Sequence, residues 1–595
     1  MQGLRDGTLP RLTPRAEADI RPDPRANVRA MKARTSILAL LALLAGCSRA
    51  PVHPPAEVAI RNADIHTMDP ARPHATGLAA RDGKLVYVGD DAGLDEWIGN
   101  NTRVIHAGGL TVLPGLIDSH IHAAEGALAL GGCTLHGAQL TIEQAAEPIR
   151  ACLAADPDST WLVVNEVNPA GFKATHRDLD AIESKRALFL WGADGHTAWV
   201  NTRGLEYAGI TRTTPDPPDG RIERDGRGQA TGFLVDGATS LALNAMEKPT
   251  LDKRLEALRL VLPRMHAVGI TSYLEANTDE PTVDAYVELA RRHELDARVT
   301  VAFESSGKNT PEEFARLAAL RARLASEPLF RADFIKLFAD GVVEYPTQTA
   351  ALLAPYNDAQ GKPGKSTGKL YLTPDEMTGF VAEAGNHGFN IHVHAIGDGA
   401  VRETLDAFAA ARAAGSRQLL SIAHLQLVDP ADLPRFKALD VIASMQLLWA
   451  LPDNYSIDAV TPWLGKERMD RQYPARSLAR AGATIAGGSD WDVSSFNPFE
   501  AIATAMSRIN PDQPQRGALV PGEALTLDEM LAAYTLNAAR LIGRDAEIGS
   551  LATGKAADFI LLDRTLTAAT PADEVRRTLP TRVFFAGHEV TPATP

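Results

Sequence analysis

Leu113-Pro114-Gly115-Leu116-Ile117-Asp118-Ser119-His120-Ile121-His122 is an apolar run that ends in two histidines one residue apart. Side chains of a strand alternate between faces, so residues i and i+2 point the same way. The run therefore reads as a strand delivering two imidazoles to one place, a ready pair of metal ligands. His-x-His also occurs on surfaces that hold no metal, so the pair is a weak signal by itself. It gains weight because four more polar groups close apolar runs of their own.

The first is Lys336, in Phe334-Ile335-Lys336-Leu337-Phe338-Ala339-Asp340-Gly341. A lysine among apolar neighbours must extend its ammonium toward water or be neutralised. His394 follows in Ile391-His392-Val393-His394-Ala395, then His424 in Leu420-Ser421-Ile422-Ala423-His424, then Asp490 in Ala483-Thr484-Ile485-Ala486-Gly487-Gly488-Ser489-Asp490. Helical patterns such as 374–387 and 399–414 separate these runs. Alternating strand and helix implies an α/β chain with parallel strands. Parallel strands that end in functional groups imply a TIM-like (β/α)8 barrel with its site on the C-terminal face.

The order His-x-His, Lys, His, His, Asp resembles the amidohydrolase superfamily. The words DSHIH, ADGHTAWVNT, IKLFADG, HVHAIGD and GGSDWD resemble its family-3 branch, which includes N-substituted formamide deformylases. The likeness runs from about residue 58 to the C-terminus and includes the closing segment Ile548–Asp563. One departure is Ala423, where the family often has Glu before the histidine; it removes no ligand but alters what can hydrogen-bond near His424. The resemblance implies a binuclear centre, most simply two zinc ions. His120, His122 and Asp490 would hold one ion, His394 and His424 the other, and a carboxylated Lys336 would bridge them. It also implies that Asp490 takes a proton from water and passes it to the leaving amine. His196, in Asp194-Gly195-His196-Thr197, lies outside the ligand order and is expected to polarise or position substrate.

The expected reaction is hydrolysis of a C–N bond in a small non-peptide amide, an N-substituted formamide or an acylated amine. A one-metal cyclic amidase or deaminase is the alternative within enzymes. A non-catalytic binding or regulatory lipoprotein is the alternative outside them. Trp191, Trp199, Phe338, Trp449 and Trp491 fall near expected top-face segments and are candidates for an aromatic pocket or for core. No phosphate-binding glycine loop or serine nucleophile elbow stands out.

The chain has 595 residues, 45% hydrophobic and 23% charged, with a net charge of −14. That length suits a large barrel with a companion domain. The acidic balance and the lack of a basic stripe argue against a nucleic-acid partner. Residues 58–112 and 542–595 both show short strands broken by turns, and neither could bury a core alone. Together they are expected to form one composite β-sandwich beside a barrel spanning 113–541 that begins near Thr111. An insertion at about 126–255, read as an elaborated loop layer over the active face, and a second long loop at 342–372 are expected to shape access.

The beginning of the chain reads differently. Met31-Lys32-Ala33-Arg34 precedes an apolar stretch from Ile37 to Ala45 that is too short to span a bilayer and has the shape of a secretory signal. Leu44-Ala45-Gly46-Cys47 resembles the lipobox of bacterial lipoproteins. The expectation is translation from Met31, a dispensable segment 1–46, acylation of Cys47 as the only membrane attachment, and a tether over 47–57. The protein would then face the periplasm, with Ser48 after the cysteine resembling lipoproteins of the outer membrane. Cys133 and Cys152 are the two other cysteines. Export makes a disulfide chemically possible, but spacing cannot show that the two meet, and two buried free thiols are at least as well supported.

Overall fold

The computed structural model describes residues 53–590. The signal-like stretch and Cys47 lie outside the described residues. Eight parallel strands form one sheet: β1 Leu116–Ile121, β2 Ile270–Thr278, β3 Arg298–Glu304, β4 Phe330–Phe338, β5 Asn390–Ala395, β6 Leu420–His424, β7 Val441–Met445 and β8 Thr484–Gly487. Each pairs with the next in chain order. The ends of the row meet just past β8. Asp490 N donates to His120 O at 2.8 Å, and His122 N donates to Trp491 O at 2.7 Å. The buried Asp118 carboxylate ties the same seam by accepting from the backbone N–H of His120 and of Ser489, both at 3.0 Å. The sheet is thus a (β/α)8 barrel.

Strands of such a barrel are covered on both faces, so they carry continuous rather than alternating burial. β1, β5 and β6 are buried along their whole length. The outer helices are amphipathic. In Leu251–Ala267, the side chains of Leu255, Leu258, Val261, Leu262 and Met265 recur at helical spacing and are buried. Thr250 starts that helix by accepting from Lys253 N, and a Thr373–Glu376 capping box starts Pro374–Asn386.

Strands from the two chain regions interleave beside the barrel. Thr111–Pro114 pairs in parallel with Asp64–His66 and antiparallel with Phe559–Leu562. A second sheet contains Val58–Arg61, Gly77–Arg81, Lys84–Gly89 and Arg103–His106. Ile60, Ile65, Leu78, Val112, Phe559, Leu561 and Phe584 share one core between them. Thr111–Pro114 belongs to this composite rather than to the barrel, which begins at Leu116. Gly115 marks the change: a Cβ there would lie 2.1 Å from Thr271 Oγ1, so only glycine allows the close crossing. Arg298 on β3 clamps the two parts together. Its Nε donates to Asp558 Oδ2 at 2.7 Å, with both side chains buried.

The insertion is more than a loop layer. It contains a six-stranded sheet built from Cys133–Thr134, Trp161–Val167, Ala187–Gly192, Thr197–Val200, Gly220–Arg224 and Ala230–Asp236. Leu162, Val164, Leu188, Leu190, Trp199, Phe233 and Val235 give it a core of its own. Cys133 on its edge strand is disulfide-bonded to Cys152 on the helix Ile142–Ala155, which settles the open pairing. Among the described residues, no helix is long and apolar enough to cross a membrane.

Candidate active site

A cavity of about 1480 Å³ opens over the C-terminal ends of the barrel strands. His120, His122, Lys336, His394, His424 and Asp490 all line it, as does His196 from the insertion. All six residues of the expected ligand set are therefore brought together. They are not equally close. His120 Nε2 and His122 Nε2 lie 3.2 and 3.1 Å from Asp490 Oδ1, and this trio offers ligand atoms within 4.8 Å of one another. His424 Nδ1 stands 3.9 Å from Asp490 Oδ2, and the rings of His394 and His424 meet edge to face at 4.4 Å.

Local backbone aims these groups. Asp490 and His424 both adopt left-handed conformations, with φ of 54° and 76°, at the point where each strand ends. Such conformations cost energy for residues other than glycine and gather at functional sites. The glycines before Asp490 let its strand approach β1. A Cβ on Gly488 would sit 2.8 Å from His120 N.

The charge states suit a cation. Burial and the neighbouring Lys336 ammonium push His120 down to about 3, so it is a neutral imidazole with a free lone pair. Burial first, then His196, holds His394 well below the usual imidazole range; burial and His394 do the same to His424. Burial would raise Asp490, but His120, His122 and His424 outweigh it and hold the carboxyl well below its usual range. His424 Nδ1 is buried without a hydrogen-bond partner. Burial would lower His122, but the hydrogen bond and charge of Asp490 outweigh it and raise it. A buried polar atom such as His424 Nδ1 calls for a ligand, and imidazoles gathered around an ionised carboxylate fit a divalent metal.

Lys336 is 1% exposed at the floor of the cavity, and its Nζ lies 3.1 Å from His120 Nε2. Burial lowers its ammonium to about 7. Behind the candidate ligands, His392 Nε2 bonds His120 Nδ1 at 2.7 Å, while His392 Nδ1 bonds Ser421 Oγ at 2.7 Å. This buried chain fixes the ring orientation and tautomer of His120. Asp340 accepts from the backbone N–H groups of Ala351, Ile396 and Gly397, holding the turn after β5, and Gly341 O accepts from His394 Nε2 at 3.1 Å.

His196 reaches the cavity with its ring centroid 5.4 Å from that of His394. Its Nδ1 bonds Asp236 Oδ1 at 2.7 Å. Burial alone would lower its pKa, but Asp236 outweighs burial and raises it. Asp236 carried no sequence signal, because its pairing depends on the antiparallel register of Thr197 with Val235. Of the aromatic candidates, Trp191, Phe338 and Trp449 line the cavity, and Trp449 stacks on His424 at 5.4 Å. Trp199 and Trp491 are core side chains, 2% and 9% exposed.

The rest of the wall is acidic. Glu125, Asp194, Glu304, Glu344, Asp453 and Asp492 face the cavity, and among the described lining residues Lys308 and Lys336 are the lysine or arginine side chains. Glu344 is pushed up to about 7 by burial and receives only a neutral donor, Gln426 Nε2 at 2.9 Å.

The comparisons with known proteins agree with this geometry. The profile of the amidohydrolase family matches residues 103–590. Protein LONG AFTER FAR-RED 3 of Arabidopsis thaliana is 30% identical over 523 residues, covering 85% of this chain and 87% of that protein. N-substituted formamide deformylase of Arthrobacter pascens is 27% identical over 536 residues, covering 85% and 93%. An uncharacterised metal-dependent hydrolase from Pyrococcus horikoshii shares the fold, with a TM-score of 0.67 at 23% identity over 87% of this chain and 99% of that one. With a ligand cluster at the mouth of its barrel and a family match over most of its length, the chain belongs to the amidohydrolase family, as a metal-dependent hydrolase acting on carbon–nitrogen bonds.

Proposed function

We propose that the cavity hydrolyses an acylated small amine, with an N-substituted formamide as the leading substrate type. The observation that carries this reading is the contrast within the cavity, a metal-binding floor beneath a wall of aromatics and carboxylates. Such a wall accepts neutral or amine-bearing substrates and repels substrates with a free carboxylate. The likeness to the formamide deformylase supports the same substrate type.

His120, His122 and Asp490 would hold one divalent ion; His394, His424 and a carboxylated Lys336 would complete a binuclear zinc centre. When bound, such ions supply a lowered pKa for water and polarisation of a carbonyl. Asp490 would take the proton from the attacking water and return it to the departing amine. His196, oriented by the Nδ1 hydrogen bond to Asp236, would donate from its other nitrogen toward the carbonyl oxygen. Lys336 at about 7 has a substantial neutral fraction near neutrality, and the neutral amine is the form that reacts with carbon dioxide. The tight trio around Asp490 favours a one-metal site as the second reading.

Metal analysis after loading with zinc and bicarbonate separates them: near two equivalents supports the binuclear centre, near one supports the alternative. A panel of formamides, acylated amines, acyl amino acids and lactams tests the substrate. Turnover confined to acyl amino acids would refute the proposal.

We also infer export and acylation at Cys47. The lipobox-like Leu44–Cys47 supports it, and so does the Cys133–Cys152 disulfide, since such bonds persist in oxidising compartments. Wild-type protein should partition with membranes and be released by detergent but not salt, and Cys47→Ser should abolish lipid labelling. Unprocessed wild-type protein in the cytoplasm would refute it.

A further inference from the structure

We propose that Asp64, His66 and His74 form a second divalent-metal site, on the composite sheets and separate from the barrel cavity. The site follows from register. Asp64 and His66 are two residues apart on one strand and so share a face. His74 sits directly opposite His66 on the antiparallel neighbour His74–Ala75, where facing side chains are close. Three donors from one face converge, each offering a ligand atom within 4.8 Å of the other two.

The contacts are already those of a partly assembled site. His66 Nε2 is 3.0 Å from Asp64 Oδ2, and the rings of His66 and His74 meet edge to face at 5.1 Å. Thr111 Oγ1, from the next strand of the sheet, donates to Asp64 Oδ2 at 3.3 Å and orients that carboxylate. The His66 side chain is 12% exposed, that of Asp64 is 33% exposed, and His74 is open to solvent. An ion could therefore enter from solution and keep water on its remaining positions.

Two imidazole nitrogens and one carboxylate oxygen suit zinc, copper or nickel, not magnesium or calcium, which prefer all-oxygen shells. Copper(II) should bind tightest of the three. The place of the site suggests what it does. His74–Ala75 is a two-residue strand at the edge of its sheet, held through two register positions. A metal joining His66 to His74 would clip this strand down and close an otherwise weakly held edge. None of the three residues lines the cavity, so the clip acts apart from hydrolysis.

The test uses the purified full chain, stripped with chelator and titrated with copper(II), alongside His74→Gln and His66→Gln. Titration is followed by calorimetry and electron paramagnetic resonance. Wild type should bind one equivalent more than either variant, and that equivalent should show coupling to two imidazole nitrogens. Zinc should raise the thermal midpoint of wild type more than that of His74→Gln. His74 is exposed, so His74→Gln should retain the fold and its hydrolytic turnover. Equal copper stoichiometry and equal spectra in wild type and His74→Gln would overturn the site. So would loss of the equivalent in one variant but not the other.

Discussion

Asp490→Asn separates chemistry from architecture at this site. Asp490 sits at φ 54°, and asparagine tolerates the left-handed region better than almost any other residue except glycine. The backbone bond from residue 490 N to His120 O does not involve the side chain, so the barrel seam should persist. What disappears is the negative charge that faces His120 and His122 at 3.2 and 3.1 Å, together with the ability to accept a proton. General acid–base catalysis by one positioned group is worth roughly 10²–10⁴ in rate, or about 3–5 kcal/mol in the barrier. The variant, loaded with zinc until its metal content matches wild type, should show a fall in kcat of that size with an unaltered circular dichroism spectrum. Steady-state kinetics with a saturating formamide, paired with metal analysis, is the assay. A metal-replete Asp490→Asn enzyme within about tenfold of wild-type kcat would refute the proton-carrier role.

His392→Phe keeps a ring in the same buried space but removes the partner of His120 Nδ1; metal affinity should fall about 10–100-fold in chelator competition, and an unchanged competition curve would exclude the positioning role. Glu344 gains its charge as pH rises through about 7, so KM for an amine-bearing substrate should fall by roughly tenfold or more from about pH 6 to about pH 8, while a neutral isostere shows no such trend and Glu344→Gln removes it. Asp558→Ala leaves the buried Arg298 guanidinium with Glu547, 3.0 Å from its Nη1, as its remaining carboxylate partner, and urea denaturation should show a loss of about 1.5–3 kcal/mol; a loss below about 1 kcal/mol would mean the clamp contributes no more than a surface pair.

The barrel and its candidate ligands are legible because each candidate sits in or at the end of an apolar run. These strands are mostly apolar where they reach the cavity, so Lys336, His394 and His424 stand out from their neighbours. The pairing of His196 with Asp236 was not legible. The two residues are 40 positions apart and meet only because antiparallel strands of the insertion align them. The insertion sheet itself is hidden by its short strands; Trp161–Val167 mixes buried and half-buried positions, a weak signal beside fully buried strands such as β1, β5 and β6. The boundary at Thr111 slipped for a related reason. Thr111–Pro114 is as apolar as a barrel strand, and only its partners, Asp64–His66 and Phe559–Leu562, show which sheet it joins.

That same strand links the order of synthesis to the order of assembly. Thr111–Pro114 emerges from the ribosome early, yet Phe559–Leu562, which covers one of its edges, is made only after every barrel strand. Until then the nascent chain carries an open strand edge immediately before the first barrel strand, a feature prone to mispairing. A stop codon just upstream of Phe559 would therefore leave the complete set of barrel strands, and all six candidate ligands, with a raw edge at their entrance. Loss of the final strands should act like a folding lesion at the beginning of the molecule, not like a trimmed tail.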